Sequence, residues 1–281
     1  MLVPTNGLDL AALCGRRIRI PIEGAGRFTQ FSFHAFSGAL IRPSRWMRWR
    51  ILRPLIMQVG VMSIPVIGIT GAFIGMLLAL ESFEQFEAYG LENKLGMIIN
   101  VSVVKQIGPV LAAVMVAGRV GGALTAELGA MRVTEQLDAV RSMGADPIDV
   151  LVVPRVIVCT VMTPILTIFS DLLGVMGGAA FTVSLNGVSG REYWDNTAWF
   201  LSFWEPTTGL IKATFFGLSI GLISCYKAFN CRPGAAGVGQ ATTESFVASF
   251  LAIIIINLAL AEFLRVFGEM FMGIGFRSPL S

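Results

Sequence analysis

The 281-residue sequence is 54% hydrophobic and only 14% charged, with a mean hydropathy of +0.73, whereas soluble domains carry about 25% charged residues. That balance excludes an ordinary soluble domain and places most of the chain in lipid. The net charge of +3 is small, and Cys14, Cys159, Cys225 and Cys231 form no CxxC pair beside a single histidine, which argues against a disulfide framework or a metal site.

Residues 1–54 form a basic arm. Arg16, Arg17, Arg19, Arg27, Arg42, Arg45, Arg48, Arg50 and Arg53 stand against Asp9 and Glu23. Phe28, Phe31, Ala35 and Ala39 recur at helical spacing beside polar Thr29, Gln30 and Ser32, the pattern of a helix lying in the membrane interface. Trp46 and Trp49 suit the aromatic belt before a first span. Nucleic-acid binding competes as a reading of the arginines. The arm leads straight into a membrane span, however, so the positive-inside rule accounts for them and puts the N-terminus in the cytoplasm. No basic n-region with an h-region and cleavage site opens the chain, so no removable signal peptide is expected.

The remainder, 55–281, reads as one membrane domain with spans near 55–80, 95–124, 164–183, 207–226 and 246–271. Span one carries Gly68, Gly71 and Gly75 at close-packing spacings, with Pro65 as a local bend. The acidic loop after it, Glu81 to Lys94, falls on the outer side. Span two contains Lys105, Gln106 and Pro109. Lys105 lies about 15 Å into the span, where a charge costs at least about 2.5–3.5 kcal/mol, so it is expected to face a cavity or a partner.

Between spans two and three the chain turns charged. Val133, Leu137 and Val140 fall at i, i+4 and i+7, with Glu135, Gln136, Asp138 and Arg141 opposite. Gly144 stands where a helix C′ residue would, and Asp146-Pro147 offers an N-cap followed by proline at the first helical position. This spacing predicts a short amphipathic helix between two spans, a handle for a soluble partner; a polar loop on the headgroups is the alternative. Val150–Val183 is too long for one straight crossing, and Pro154 and Pro164 are natural breaks. The chain is therefore expected to approach along the inner surface before crossing near Pro164–Val183. Lys212, near the outer end of span four, reads as a snorkelling side chain. In span five Glu262 and Arg265 can pair at i, i+3. Five crossings leave the C-terminus on the periplasmic side.

Two segments imitate catalytic motifs: Gly217-Leu218-Ser219-Ile220-Gly221 matches a nucleophile elbow, and Gly187-Val188-Ser189-Gly190 an intramembrane serine motif. Both need a histidine base, and His34 lies far upstream. Helix packing explains the first and a turn the second, so no catalytic residue is assigned. No Walker A sequence occurs, so ATP hydrolysis would have to come from another chain.

The run Ala117-Gly118-Arg119-Val120-Gly121-Gly122-Ala123-Leu124-Thr125-Ala126-Glu127-Leu128-Gly129-Ala130-Met131-Arg132-Val133-Thr134-Glu135-Gln136-Leu137-Asp138-Ala139 resembles the signature of MlaE/YrbE-type permeases, the membrane subunits of MCE-associated ABC lipid transporters. Gly71–Met76, Lys105–Pro109, Asp146-Pro147 and Gly237-Val238 extend the resemblance from about Leu55 to the C-terminus. It implies an all-α integral membrane protein: an N-terminal interfacial amphipathic helix plus five transmembrane helices, with a cytoplasmic coupling helix between spans two and three. It implies a homodimeric permease in the bacterial inner membrane, moving phospholipid or another hydrophobic lipid. The implied partners are a cytoplasmic ABC ATPase carrying the ATP and Mg, a STAS-domain protein and an MCE-domain hexamer on the outer face, with no cofactor on this chain and no nucleic acid. The ATPase-coupling region would run from Glu127 to Ala139, in which Arg132, Glu135 and Asp138 would make the polar contacts to the ATPase, and Met131, Val133 and Leu137 would fill its groove. Leu78, Phe83, Phe86, Tyr89 and Lys105 would meet the lipid. Where relatives often carry acids this chain has Gln106 and Asn257, which removes a titrating relay at those positions. The competing function is an ATP-independent channel or secondary transporter, motivated by Lys105, Lys212 and the broken spans.

Overall fold

Five stretches are long and apolar enough to cross a bilayer, Trp49–Glu87, Leu95–Val133, Ile148–Leu185, Trp204–Phe229 and Ala235–Met270, and in lipid a backbone must satisfy its own hydrogen bonds, which forces them into helix. The computed structural model describes residues 7–41 and 49–272, with the side chains of 23–41 and 49–270 apart from 93 and 200. All regular structure among the described residues is helical. The chain is an all-α integral membrane protein.

Helix α1 (Gly7–Ile41) is the arm. Span one is α2 (Trp49–Val59) and α3 (Ile64–Glu87), joined by a tight turn at Val61–Ser63 with Pro65 in the first turn of α3. Span two comprises α4 (Leu95–Ser102), α5 (Gly108–Val116) and α6 (Gly122–Val133), with π-helical turns between them at Val103–Ile107 and Ala117–Gly121. Proline 109 accounts for the first: it lacks an N–H and its ring crowds the carbonyl of Lys105, so the ladder widens there. A short helix α7 (Gln136–Ser142) precedes span three, whose main helix is α8 (Val153–Ala179). Helix α9 (Gly190–Phe200) leads to α10 (Trp204–Phe229) and α11 (Ala235–Met272), which form spans four and five.

Span three differs from expectation. The chain is helical from Ile148 to Leu185 without a break at either proline. Pro154 follows closely on a π-helical turn at Ile148–Val152, where the ladder is already widened around a proline, and Pro164 is carried inside the helix. Its 38 residues rise about 57 Å, so its ends project beyond a hydrocarbon core of about 30 Å.

Helix α8 is the hub. Along one side, Gly71 and Gly75 of α3 meet Ser170 and Gly174, while Gly177 approaches the Ala72 carbonyl; a Cβ on Gly71, Gly75 or Gly177 would overlap backbone. On another side, Gly217 and Gly221 of α10 close on Cys159, Thr163 and Val156, so this glycine pair serves helix packing and Ser219 donates to its own helix at the Phe216 carbonyl. The apolar core between them is built from Val59, Ile67, Val116, Leu124, Leu166, Phe216, Ile220 and Ile253.

The ends of the bundle differ. At one, here called the arm end, α1 packs across α8 and α10: Phe28 and Phe31 meet Tyr226 edge-on at ring-centroid distances of 5.2 and 5.5 Å, Phe31 meets Phe229, and Ala35 is buried. The stripe expected to lie in the interface therefore faces protein, because Ala35 and Gly38 let α1 approach closely. Among the described side chains of α1, the large apolar ones that stand exposed are Phe33, Phe36, Leu40 and Ile41. Trp46, Arg42, Arg45 and Arg48 lie outside the described residues. At the far end α9 packs on α4 through buried Tyr193, whose hydroxyl donates to Asn100 Oδ1 at 3.1 Å while Asn100 Nδ2 donates to Thr197 at 2.9 Å. Burial pushes the Tyr193 phenol up to about 12, so this network stays neutral, with its stability complete below the ordinary tyrosine value near 10 and lost as pH rises toward 12.

Candidate functional site

The charged segment between spans two and three forms a compact projection at the arm end. Helix α6 ends at Val133, and Glu135 takes a left-handed conformation, φ 59°, before α7 begins. After α7, Gly144 adopts φ 76°, its N–H bonding to the Arg141 carbonyl at 2.9 Å and that of Ala145 to Val140 at 3.3 Å. That pair of bonds is a Schellman closure, the role a C′ glycine serves. Asp146 Oδ1 then accepts the Ile148 N–H at 2.9 Å, as its N-cap position demands.

An ion pair staples the projection at its base. Arg155 Nη2 lies 2.6 Å from Glu127 Oε1, and Arg155 Nη1 donates to the Leu151 carbonyl at 2.8 Å. Leu137, 1% exposed, plugs α7 into the bundle, and Met131 packs against the cluster around Leu128, Val152 and Val156. Glu127 and Leu137 thus engage their own protomer. Val133 is half-buried, whereas Arg132, Glu135 and Asp138 are exposed. Asp138 sits 2.9 Å from Arg141 and 3.8 Å from Arg132. At the tip Met143 is 75% exposed. Sequence reasoning passed over Met143 and Arg155; a lone arginine within an apolar span was the available signal for the latter, since it requires a partner. His34 Nε2 hydrogen-bonds Asp146 Oδ2 at 2.8 Å and so ties the arm to the end of the projection. Asp149 brings a third possible ligand atom within 4.8 Å.

A second polar cluster lies inside the bundle. Lys212 is 2% exposed, its ammonium donating to Gln106 Oε1 at 2.6 Å and to the Lys105 carbonyl at 3.3 Å. Snorkelling is thereby corrected: Gly209 lets α10 close on Val104 and Pro109, which traps Lys212 beside the widened turn. The carbonyl crowded out by Pro109 is one of its acceptors. Both acceptors are neutral, so a cation is held without a paired carboxylate among its hydrogen bonds. Lys212→Met is expected to raise stability by about 1–2 kcal/mol, read as a higher unfolding midpoint, because a similarly sized apolar side chain avoids burying charge. A lowered midpoint would show that the hydrogen bonds outweigh that burial.

Comparison with known proteins decides what this arrangement belongs to. Residues 54–263 match the family model described as Permease MlaE. The chain belongs to the MlaE permease family. A probable ABC transporter permease protein of Rickettsia typhi is 38% identical over 257 residues, covering 92% of this chain and 98% of that protein. One from Synechocystis is 41% identical over 204 residues, covering 73% and 78%. The intermembrane phospholipid transport system permease protein MlaE of Haemophilus influenzae is 32% identical over 222 residues, covering 77% and 84%. This MlaE-type chain is accordingly an ABC-transporter permease, a multi-pass membrane subunit rather than an enzyme.

Within this MlaE permease the residues expected to meet lipid separate into two groups. Leu78, Phe83 and Phe86 pack, partly buried, on Ala79, Leu95, Ile99 and Val103 toward the far end. Tyr89, 81% exposed, stands free of that cluster, and Lys105 is exposed on the flank of span two. A cavity of about 620 Å³ opens at the arm end instead, lined by none of these five residues.

Proposed function

We propose that this MlaE-type permease moves phospholipid or another hydrophobic lipid between the bacterial inner membrane and an MCE-domain partner, with energy from a separate cytoplasmic ABC ATPase that holds ATP and Mg. The reading joins two copies of the chain into the working permease and includes a STAS-domain protein on the ATPase. The arm end then faces the cytoplasm and the C-terminus the periplasm. The observation that carries it is the stapled projection: Glu127–Arg155 and Leu137 fix its base while Arg132, Glu135, Asp138 and Met143 are presented outward. A rigid projection transmits a push. Leu78, Phe83, Phe86 and Tyr89 would bring apolar surface to the acyl chains and Lys105 a point charge to the phosphate.

Glu135 permits a clean test, because its backbone and its carboxylate pull in opposite directions. A left-handed non-glycine residue costs about 1–2 kcal/mol, so Glu135→Gly is expected to firm the projection while deleting the charge. Co-purification of the ATPase should nevertheless weaken about tenfold or more, with lipid transport by the reconstituted complex falling alongside. Undiminished ATPase binding and transport would remove Glu135 from the coupling surface. Lipid movement by the purified chain with no nucleotide-hydrolysing partner would favour the ATP-independent channel or secondary transporter.

A further inference from the structure

We propose that the arm-end cavity, bounded by α1 and by the adjoining ends of α10 and α11, is a binding site for a phosphate group, carried either by an anionic lipid headgroup or by a soluble phosphate ester. Arg27 enters from α1, Tyr226 and Lys227 from the last turn of α10, Asn230 and Arg232 from the following turn, and Gln240 and Glu244 from the first turns of α11. Three cations thus surround about 620 Å³ of space with one carboxylate among its lining residues.

That carboxylate is already engaged. Glu244 Oε2 lies 2.9 Å from Lys227 Nζ, and its Oε1 accepts Gln240 Nε2 at 3.0 Å. Among the described residues no carboxylate lies within ion-pairing distance of Arg27 or Arg232. Two guanidinium groups therefore line one cavity without a direct ion pair of their own, Arg232 sharing the field of Glu244 only at longer range, and a guanidinium's planar fork suits the oxygens of a phosphate. The N-terminus of α11 opens beside them at Ala235, with Gly237 on the cavity wall, and adds partial positive charge of the same sign.

Depth agrees with a headgroup. The cavity sits where span four ends and span five begins, Phe229 and Ala235, beneath an arm whose Phe33, Phe36 and Leu40 are exposed. Basic clusters at that level attract anionic lipid. The contacts of Phe28 and Phe31 with Tyr226 hold α1 over the rim, so an occupant would bridge the arm to α10 and α11. The site is at the opposite end of the bundle from the Leu78–Phe86 cluster, and it stands or falls independently of which lipid is transported.

The test uses the full-length protein in detergent, with phosphatidylglycerol and inorganic phosphate as probes and binding read by native mass spectrometry and thermal shift. R27Q/R232Q is expected to bind phosphatidylglycerol at least about tenfold more weakly than wild type. E244Q, which removes the resident carboxylate, is expected to bind it more tightly, a gain that misfolding cannot produce. Binding of inorganic phosphate on its own, weakened in R27Q/R232Q, assigns the site to a soluble phosphate ester; binding of phosphatidylglycerol with none of inorganic phosphate assigns it to a headgroup. Unchanged affinity for both probes in R27Q/R232Q, or no gain in E244Q, overturns the proposal.

Discussion

Gly75→Leu is expected to abolish the folded bundle. Gly75 lies where α3 and α8 touch backbone to backbone, and its missing side chain is the space occupied by Gly174 and its carbonyl. Overpacking a core with room to adjust costs about 1–3 kcal/mol. Here the neighbour is main chain inside a continuous helix and cannot rotate away, so the cost should exceed about 3 kcal/mol, a large fraction of a typical stability of about 5–15 kcal/mol. The effect should spread, because Gly71, Ser170, Ala72 and Gly177 share the same contact line. Size-exclusion profiles of the detergent-solubilised protein, taken over a temperature series, would read it. Gly239→Ala is the control: nothing lies within 4 Å of a Cβ there, and replacing a helical glycine gains up to about 1 kcal/mol. If Gly75→Leu behaves like that control, the two helices do not meet through their glycines.

Cutting the staple should show an asymmetry between its partners. The Arg155 side chain is 8% exposed and that of Glu127 43%. Removing one partner of a buried pair costs about 3–5 kcal/mol, because the survivor is left buried and uncompensated. In Arg155→Met the survivor is Glu127, which can rehydrate, so the loss should fall below that range, about 2 kcal/mol. In Glu127→Ala the survivor is the buried guanidinium, whose Nε already lacks a hydrogen-bond partner, and the loss should reach about 3–5 kcal/mol. Both changes should loosen residues 134–147, seen as faster proteolysis and weaker ATPase co-purification, with Glu127→Ala the more severe. Equal losses would mean that the local environment does not hold the charge as the geometry indicates. The charge-reversed pair Glu127→Arg with Arg155→Glu should recover only part, since a buried carboxylate would lose the Leu151 carbonyl as an acceptor partner.

Much of the projection between spans two and three was legible in residue order because its signals are local. Gly144 and Ala145 close α7 through bonds to Arg141 and Val140, and Asp146 caps the helix that follows; each needs only neighbours within five positions. The glycine spacings of α3 and α10 likewise announced close packing. Leu137 shows the limit. Its place on an apolar stripe was readable, but that it is buried within its own protomer rather than offered to a partner is decided only by the folded chain.

The arm shows the same limit from the other side. Phe28, Phe31 and Ala35 formed a recognisable apolar face, and its destination was Tyr226 and Phe229 rather than lipid. Lys212 is the sharpest case. Its acceptors are Gln106 and the Lys105 carbonyl, more than 100 positions earlier in the chain, and that carbonyl is displaced from the ladder by Pro109, a distortion composition does not register.

What residue order alone determined is the number and kind of crossings and the family. A bilayer sorts segments by apolar length and compels helix, and both are one-dimensional properties. What only the tertiary structure decided is which face of each helix looks inward. That choice turned Glu127 and Leu137 into anchors, buried Lys212 and gathered Arg27, Lys227 and Arg232 around one cavity. Burial and pairing are properties of the elements that close around a side chain, and those elements come from distant parts of the chain.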